Sequence, residues 1–308
     1  MNELFSRIAV GVDGSEPSKY AVAYAARLAR DHQGTLLLFH AVNWLPTVSE
    51  AASAGVLIDT NAIIEGLKEA GEMLLDEAVL EAKRFGVDAE RHAREGEPAT
   101  ALLRFVNDAG CGLIVMGTHG RRGFGRLFLG STTEAVLRRS TIPVLTLHSQ
   151  TPAADEVRRC LGRVLVAIDD SEPSDAAVEV ALGLPAQDRN ELLFYSVVDI
   201  DIPVGIAYTA AVEAEKFADA NGAVERAVAS ALAKNIVVRG YTVEGRPDDT
   251  IVAAAKEEAV DLIVLGSHGR RGLRRFFLGS VAEAVVRSAT VPVLVVRSLI
   301  RIEARRSG

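Results

Sequence analysis

Hydrophobic positions along this chain fall into short continuous runs that alternate with longer amphipathic stretches. Ile8–Val12 is an apolar run ending at Asp13, and Ser18–His32 then carries Ala21, Ala25, Leu28 and Ala29 at the spacing of one helical face. That is a strand followed by a helix. Leu36–Val42 predicts a second buried strand, and an irregular stretch from Trp44 to about Asp59 follows, containing Pro46 and Gly55. Ile63–Phe85, with Leu67, Ala70, Leu74, Ala78 and Ala82, predicts a long amphipathic helix. Residues 88–94 read as a weak strand, and Pro98 suits the first turn of a helix. Leu113–Met116, Ser131–Arg139 and Pro143–Leu147 predict a buried strand, a helix and a final strand.

The second half repeats this order. RIAVGVDGSEPS (Arg7 to Ser18) returns as RVLVAIDDSEPS (Arg163 to Ser174), TLLLFHAV (Thr35 to Val42) as ELLFYSVV (Glu191 to Val198), and EGEP (Glu95 to Pro98) as EGRP (Glu244 to Pro247). GTHGRRGFGRLFLGS, from Gly117 to Ser131, returns as GSHGRRGLRRFFLGS, from Gly266 to Ser280. Ile236–Val243 is more strongly β than its partner stretch, being rich in Val and Tyr. Pro247 opens a helix, Leu262–Leu265 is a buried strand, Ser280–Ser288 a helix, and Pro292–Val296 a last strand. Five strands alternating with four helices in each half predict an α/β fold of two tandem doubly wound domains, each a parallel sheet flanked by helices. The domains are expected over residues 1–148 and 161–298. The polar stretch 149–160 links them, and 299–308 is a tail.

A length of 308 residues suits two domains that each bury a core, and 49% hydrophobic with 24% charged residues is the balance of a globular chain. No apolar run approaches the roughly 18 residues that cross a bilayer, and Met1-Asn2-Glu3-Leu4 does not resemble a signal peptide, so a soluble cytoplasmic protein is expected. Cys111 and Cys160 have neither metal-ligand nor redox spacing and are expected to be buried thiols. The net charge of -7 argues against a nucleic-acid-binding surface. Yet Arg121, Arg122 and Arg126, and again Arg270, Arg271, Arg274 and Arg275, stand among the glycines with no acid between them.

In a doubly wound sheet, ligands bind outside the carboxyl ends of the strands where the strand order reverses. The first strand of each half ends there with Asp13 or Asp169, and the fourth with Gly117 or Gly266. Glycines let backbone amides cradle phosphate oxygens, and Gly130-Ser131 then opens a helix whose N-terminus favours an anion. Two plainer readings compete. Ser131 and Ser280 both begin an S-x-x-E capping box, and an Asp before Ser-Glu-Pro-Ser can serve a turn or cap, against polar contact with a ligand or a metal counter-ion. Nine residues between glycines, carrying several arginines and kept twice in an acidic chain, favour an anion site. His119 and His268 lie inside the loops without partners at metal or triad spacing, and His40, replaced by Ser196 in the second half, reads as structural. Phe124, Phe128, Phe276 and Phe277 read as packing the loops onto their domains.

The pattern G-x2-G-x9-G-[S/T], preceded by a strand-ending Asp, resembles that of the universal stress proteins of the ATP-binding branch. It is met by Gly117, Gly120, Gly130 and Ser131, and by Gly266, Gly269, Gly279 and Ser280. The resemblance covers nearly the whole chain and implies five-stranded sheets of order 3-2-1-4-5, each with an adenine-nucleotide site for ATP, with Mg²⁺ as an optional companion. It places Asp13 and Asp169 beside adenosine and the backbone at Ala41 and Val197 near adenine. The phosphates fall to the glycine loops with Arg121, Ser131 and Thr132, and with Arg270, Ser280 and Val281. It also implies pairing of the halves through Val144–Leu147 and Val293–Val296, and association as a homodimer. The second half departs in having Asp169-Asp170 for Asp13-Gly14, and in a shorter segment through Ile202-Pro203-Val204-Gly205, so unequal affinities are expected. There is no Walker lysine and no general base near the glycines, which favours a nucleotide-responsive regulator of the stress response. The rival is a slow ATPase or phosphotransferase using Asp13 or Asp169 with Mg²⁺.

Overall fold

The computed structural model describes residues 3–53, 59–118, 129–148, 160–185, 189–199, 210–269 and 278–297. The expected linker up to residue 159, the segment Ile202-Pro203-Val204-Gly205 and the C-terminal tail lie outside them. The chain divides into two compact units, one mainly of Met1–Ser140 with Val144–Ser149 and the other mainly of Gln150–Gly308.

The first unit runs α1 (Glu3–Ser6), β1 (Arg7–Gly11), α2 (Glu16–His32), β2 (Thr35–Val42), α3 (Leu45–Ser53), α4 (Thr60–Arg84), β3 (Ala89–Glu95), α5 (Pro98–Asp108), β4 (Leu113–Gly117), α6 (Ser131–Arg139) and β5 (Val144–Leu147). The second runs β6 (Arg163–Ala167), α7 (Glu172–Leu182), β7 (Glu191–Val198), α8 (Ala210–Ala233), β8 (Val238–Glu244), α9 (Pro247–Glu257), β9 (Leu262–Gly266), α10 (Ser280–Ser288) and β10 (Val293–Val296). Within each unit every strand pairing is parallel. The orders are β3-β2-β1-β4-β5 and β8-β7-β6-β9-β10, the 3-2-1-4-5 arrangement twice over.

Parallel strands covered on both faces need apolar side chains at successive positions, which is why these runs do not alternate. Ile8, Ala9 and Val10 of β1 and Val164, Leu165 and Val166 of β6 are fully buried, as are Leu36, Leu37 and Leu38 of β2. Each such large side chain contributes about 1.5–3 kcal/mol by leaving water. The outer strand β3 carries AERHARE instead, and Arg91 reaches Glu72 and Asp76 of α4. Charges on an edge strand discourage pairing with another chain.

Three local features differ from expectation. The stretch after β2 holds the helix α3 rather than irregular chain, since LPTVSEAAS places its proline in the first turn and has no later breaker. With α1, this gives the first unit two helices beyond the expected four. Helix α2 starts before Ser18, because the Ser15 side chain accepts from the Ser18 amide at 3.3 Å and Pro17 occupies the first turn. Ser171 caps α7 in the same way. Among the described residues, no helix is long and apolar enough to cross a membrane. Cys111 and Cys160 are both buried, and burial pushes the Cys111 thiol up to about 11.

Candidate functional site at the carboxyl edge of each sheet

The second unit carries a cavity of about 460 Å³ over the carboxyl ends of β6, β7 and β9. Strand order reverses there, since β7 lies to one side of β6 and β9 to the other. Its walls bring together Asp169, Val197, Gly266 and Gly269 with Gly279, Ser280 and Val281 of the α10 entry. Arg270 lies outside the described residues.

Two backbone devices shape this crevice. The Gly279 amide donates to the Ser267 carbonyl at 2.8 Å, which clips the far end of the glycine loop to the strand it left. Gly279 is the cap residue of α10, in extended conformation, and no side chain among the described residues caps the helix. Ser280 is therefore the first helical residue, and the S-x-x-E box is not formed. Glu283 lies near Arg287 instead, at 3.9 Å. A helix start without a side-chain cap has amides and a positive dipole end available to an anion or water.

Asp169 sits where β6 ends. Its Oδ1 accepts from the Ser171 amide at 3.2 Å and from the Ser171 hydroxyl at 2.6 Å, so the turn-forming role is real. Its Oδ2 faces Gly269 so closely that a Cβ there would collide with it. The strand-end carboxylate and the second loop glycine are direct neighbours. Beside them, His268 has its basicity lowered by burial first and by Arg297 next, against the pull of Asp169 and Glu172, which favours the neutral ring.

Gly266 has a packing duty as well. A Cβ there would lie 2.8 Å from the Pro173 carbonyl carbon and 2.9 Å from the Ser174 amide nitrogen, so β9 touches the start of α7 only through glycine. Gly117 meets Pro17 in the same manner, at 2.6 Å from its Cβ and 2.7 Å from its carbonyl carbon.

The first unit repeats these devices. Asp13 Oδ1 accepts from the Ser15 amide at 2.9 Å and its hydroxyl at 2.6 Å. Gly130 donates to Thr118 O at 2.8 Å and caps α6 without a side-chain bond, which leaves Ser131 and Thr132 as the first helical residues. Thr133 Oγ1 donates to the Gly117 carbonyl at 2.8 Å. Ala41 lies near the carboxyl end of β2. Gly120, Arg121, Arg122, Arg126, His119, Phe124 and Phe128 lie outside the described residues, as do Arg271, Arg274, Arg275, Phe276 and Phe277.

The sequence model of the universal stress protein family matches residues 4–148 and 161–297, once in each half. The chain belongs to the universal stress protein family. It is similar along most of its length to a universal stress protein of Mycolicibacterium smegmatis, 30% identical over 303 residues that cover 94% of this chain and 96% of the relative. One from Mycobacterium tuberculosis is 29% identical over 304 residues, with the same coverage. The fold recurs in a universal stress protein of Archaeoglobus fulgidus, with a TM-score of 0.70 at 24% identity, covering 96% of this chain and 98% of that one.

In this universal stress protein further residues at the crevice lie where the two halves differ, among them His40, which reads as structural in the sequence. In the first unit, His40 Nδ1 is 2.7 Å from the Val12 carbonyl, so that nitrogen carries the proton. The ring edge abuts Gly71, where a Cβ would lie 2.6 Å from Cδ2. Matching Thr35 to Glu191 and Glu95 to Glu244 sets Val12, His40 and Gly71 opposite Ile168, Ser196 and Ala220. All three counterparts line the second-unit cavity, so an imidazole stands in the first unit where the second has a hydroxymethyl group. The same matching sets Asn43 and Leu67 opposite Asp199 and Lys216, which also line the cavity. Lys216 Nζ donates to the Asp199 carbonyl at 3.3 Å. The residue-by-residue comparison of the halves that picks out His40 and Ser196 also finds Asn43, Leu67, Asp199 and Lys216.

Proposed function

We propose that each half binds a purine nucleotide, ATP in the first instance, and that occupancy changes how the halves pair or which partner they engage in a stress response. The observation carrying this reading is the second-unit cavity, with a helix N-terminus that no described side chain caps at one end and the ends of β6 and β7 at the other. Phosphates would lie on the α10 amides and the Ser280 hydroxyl, and the nucleoside would lie toward Asp169 and Val197. In the first half the same parts fall to Ser131, Thr132, Asp13 and Ala41. Asp13 and Asp169 each give one oxygen to a serine cap, which suits holding a sugar or base in place more than carrying chemistry. The reading is therefore of a binding switch.

The test is release of nucleotide from purified full-length protein by denaturation, with the bound species identified and counted per chain. Up to two purine nucleotides per chain support the reading. An empty protein that also fails to take up ATP or GTP at millimolar concentration would overturn it.

A further inference from the structure

The two halves differ at the end of the crevice away from the α6 or α10 entry. There the second unit has Asp199 and Lys216 on the cavity wall, with the ammonium against the Asp199 carbonyl. The first unit has Asn43 and Leu67 at the matching positions, and its lysine one step along, Lys68, turns to Glu95 at 3.0 Å. One half thus pairs a cationic donor with an anionic acceptor where the other offers an amide and an aliphatic chain.

We infer that Lys216, with Asp199, determines base specificity in the second half and that this site takes a 6-oxopurine nucleotide, such as a guanosine phosphate. The inference rests on the nucleotide-binding reading above. An ammonium only donates, and a carboxylate only accepts. Guanine offers the ammonium two adjacent acceptors, O6 and N7, whereas adenine sets an amino donor beside N7. Guanine also presents N1–H and the 2-amino group side by side, a pair of donors that a carboxylate accepts in charge-assisted fashion. Adenine meets one of these groups well and sets its own donor against the ammonium when it turns to satisfy the other. Ser196 and Ala220 line this end of the cavity, where the first half has His40 packed on Gly71. The first half, without the charged pair, has nothing at these positions to favour a 6-oxopurine.

The experiment is a calorimetric titration of the full chain with GTP and with ATP. It is made on the protein as it is, on Ser131→Glu, which repels phosphate from the first site, and on Ser131→Glu with Lys216→Met or Lys216→Arg. In the Ser131→Glu protein the remaining site should bind GTP about tenfold more tightly than ATP. Lys216→Met should bring the two within about threefold, and Lys216→Arg should keep the preference for GTP. Equal or tighter binding of ATP in the Ser131→Glu protein overturns the inference, and so does a GTP preference that survives Lys216→Met. Adenosine 3′,5′-bisphosphate outcompeting GTP would do the same, since the lysine would then be reading a second anion. Because GTP and ATP are compared on a chain with Lys216 intact, the outcome does not depend on the methionine variant folding. Absence of any nucleotide binding is a separate result that removes the underlying reading instead.

Discussion

Replacing Ser280 by glutamate separates a helix cap from an anion site, because the two roles respond with opposite signs. Ser280 is exposed and is the first residue of α10, whose cap residue is Gly279 and whose start no described side chain caps. A carboxylate in the first turn of such a helix gains roughly 0.3–1 kcal/mol from the dipole, so the fold should be unharmed or slightly stabilised. A phosphate held on the same amides would stand on the order of 5 Å from that carboxylate. The repulsion per phosphate charge is then about 3 kcal/mol at an effective dielectric of 20, falling to about 1 kcal/mol in a water-like surround. Exposure of the site favours the lower part of this range. Nucleotide affinity in the second half should drop by roughly 5- to 150-fold, and less at high salt.

Calorimetric titration with nucleotide at low and high salt, beside a thermal melt, reads both signs. One of two binding events should weaken while Tm holds or rises. Ser131→Glu should weaken the other event, and the double variant should weaken both. Ser280→Ala, losing one hydroxyl, should cost no more than about 1.5 kcal/mol of binding. Unchanged affinity in Ser280→Glu and Ser131→Glu, with Tm raised, would show that these serines belong to helix starts and nothing else.

Gly117→Ala and Gly266→Ala each drive a methyl against the backbone at Pro17 or Pro173, where no side chain can move aside, so urea denaturation should show a loss of about 1–3 kcal/mol for each. Cys111 has its folded pKa raised to about 11 from an ordinary 9.0. The unfolded chain therefore loses this proton first, and its contribution to stability is complete below pH 9 and lost between 9 and 11. Stability of a Cys111→Ala variant that is no flatter than the parent across that window would refute the assignment. Glu191 is held below the usual carboxylate range by its hydrogen bond to Arg239 first, against some desolvation, with Arg163 adding to the effect. Its contribution is present above about pH 4.5 and fades on acidification, so Glu191→Gln should lower the urea midpoint at pH 7 but much less at pH 3. Asp170 adopts a left-handed backbone, φ +62°, where the first half has Gly14 at φ +78°. Its exposed pairing with Arg226 is worth at most about 1 kcal/mol, so Asp170→Gly should change Tm little, while Asp170→Val should lower it clearly.

The strands were legible because a parallel sheet buried on both faces demands unbroken apolar runs, as in Leu36–Phe39 and Leu262–Leu265. Chain reversals were legible through Gly and Pro. What periodicity could not supply was the start of α2, set by the Ser18 amide's bond to Ser15, or the helix α3, where Pro46 reads as a breaker in the sequence but sits in the helix's first turn. The capping-box reading of Ser131 and Ser280 failed for a similar reason. The S-x-x-E spacing suits a cap at the serine, but the loop clips at Gly130 and Gly279 place the helix start one residue earlier. At the site, the motif identified residues that the second half gathers around one cavity, yet it gave no means to tell packing glycines from ligand-facing ones.

That distinction reorganises what the internal repeat means. Gly117 and Gly266 recur because a strand must touch the first turn of the next helix, so their repetition is explained without a ligand. Ser131 and Ser280 recur without capping their helices, and Ser280 lines the cavity, so packing does not explain them. Some of the positions that fail to recur lie on the other side of the crevice. His40 against Ser196, Gly71 against Ala220, Asn43 against Asp199 and Leu67 against Lys216 all fall toward the β2 or β7 side of the crevice, away from the α6 or α10 entry. Thr132 against Val281 and Thr133 against Ala282 differ at the entry itself, while Gly130 with Ser131 and Gly279 with Ser280 are kept, so the two halves share the glycine-serine start of this helix and differ along much of the remaining wall.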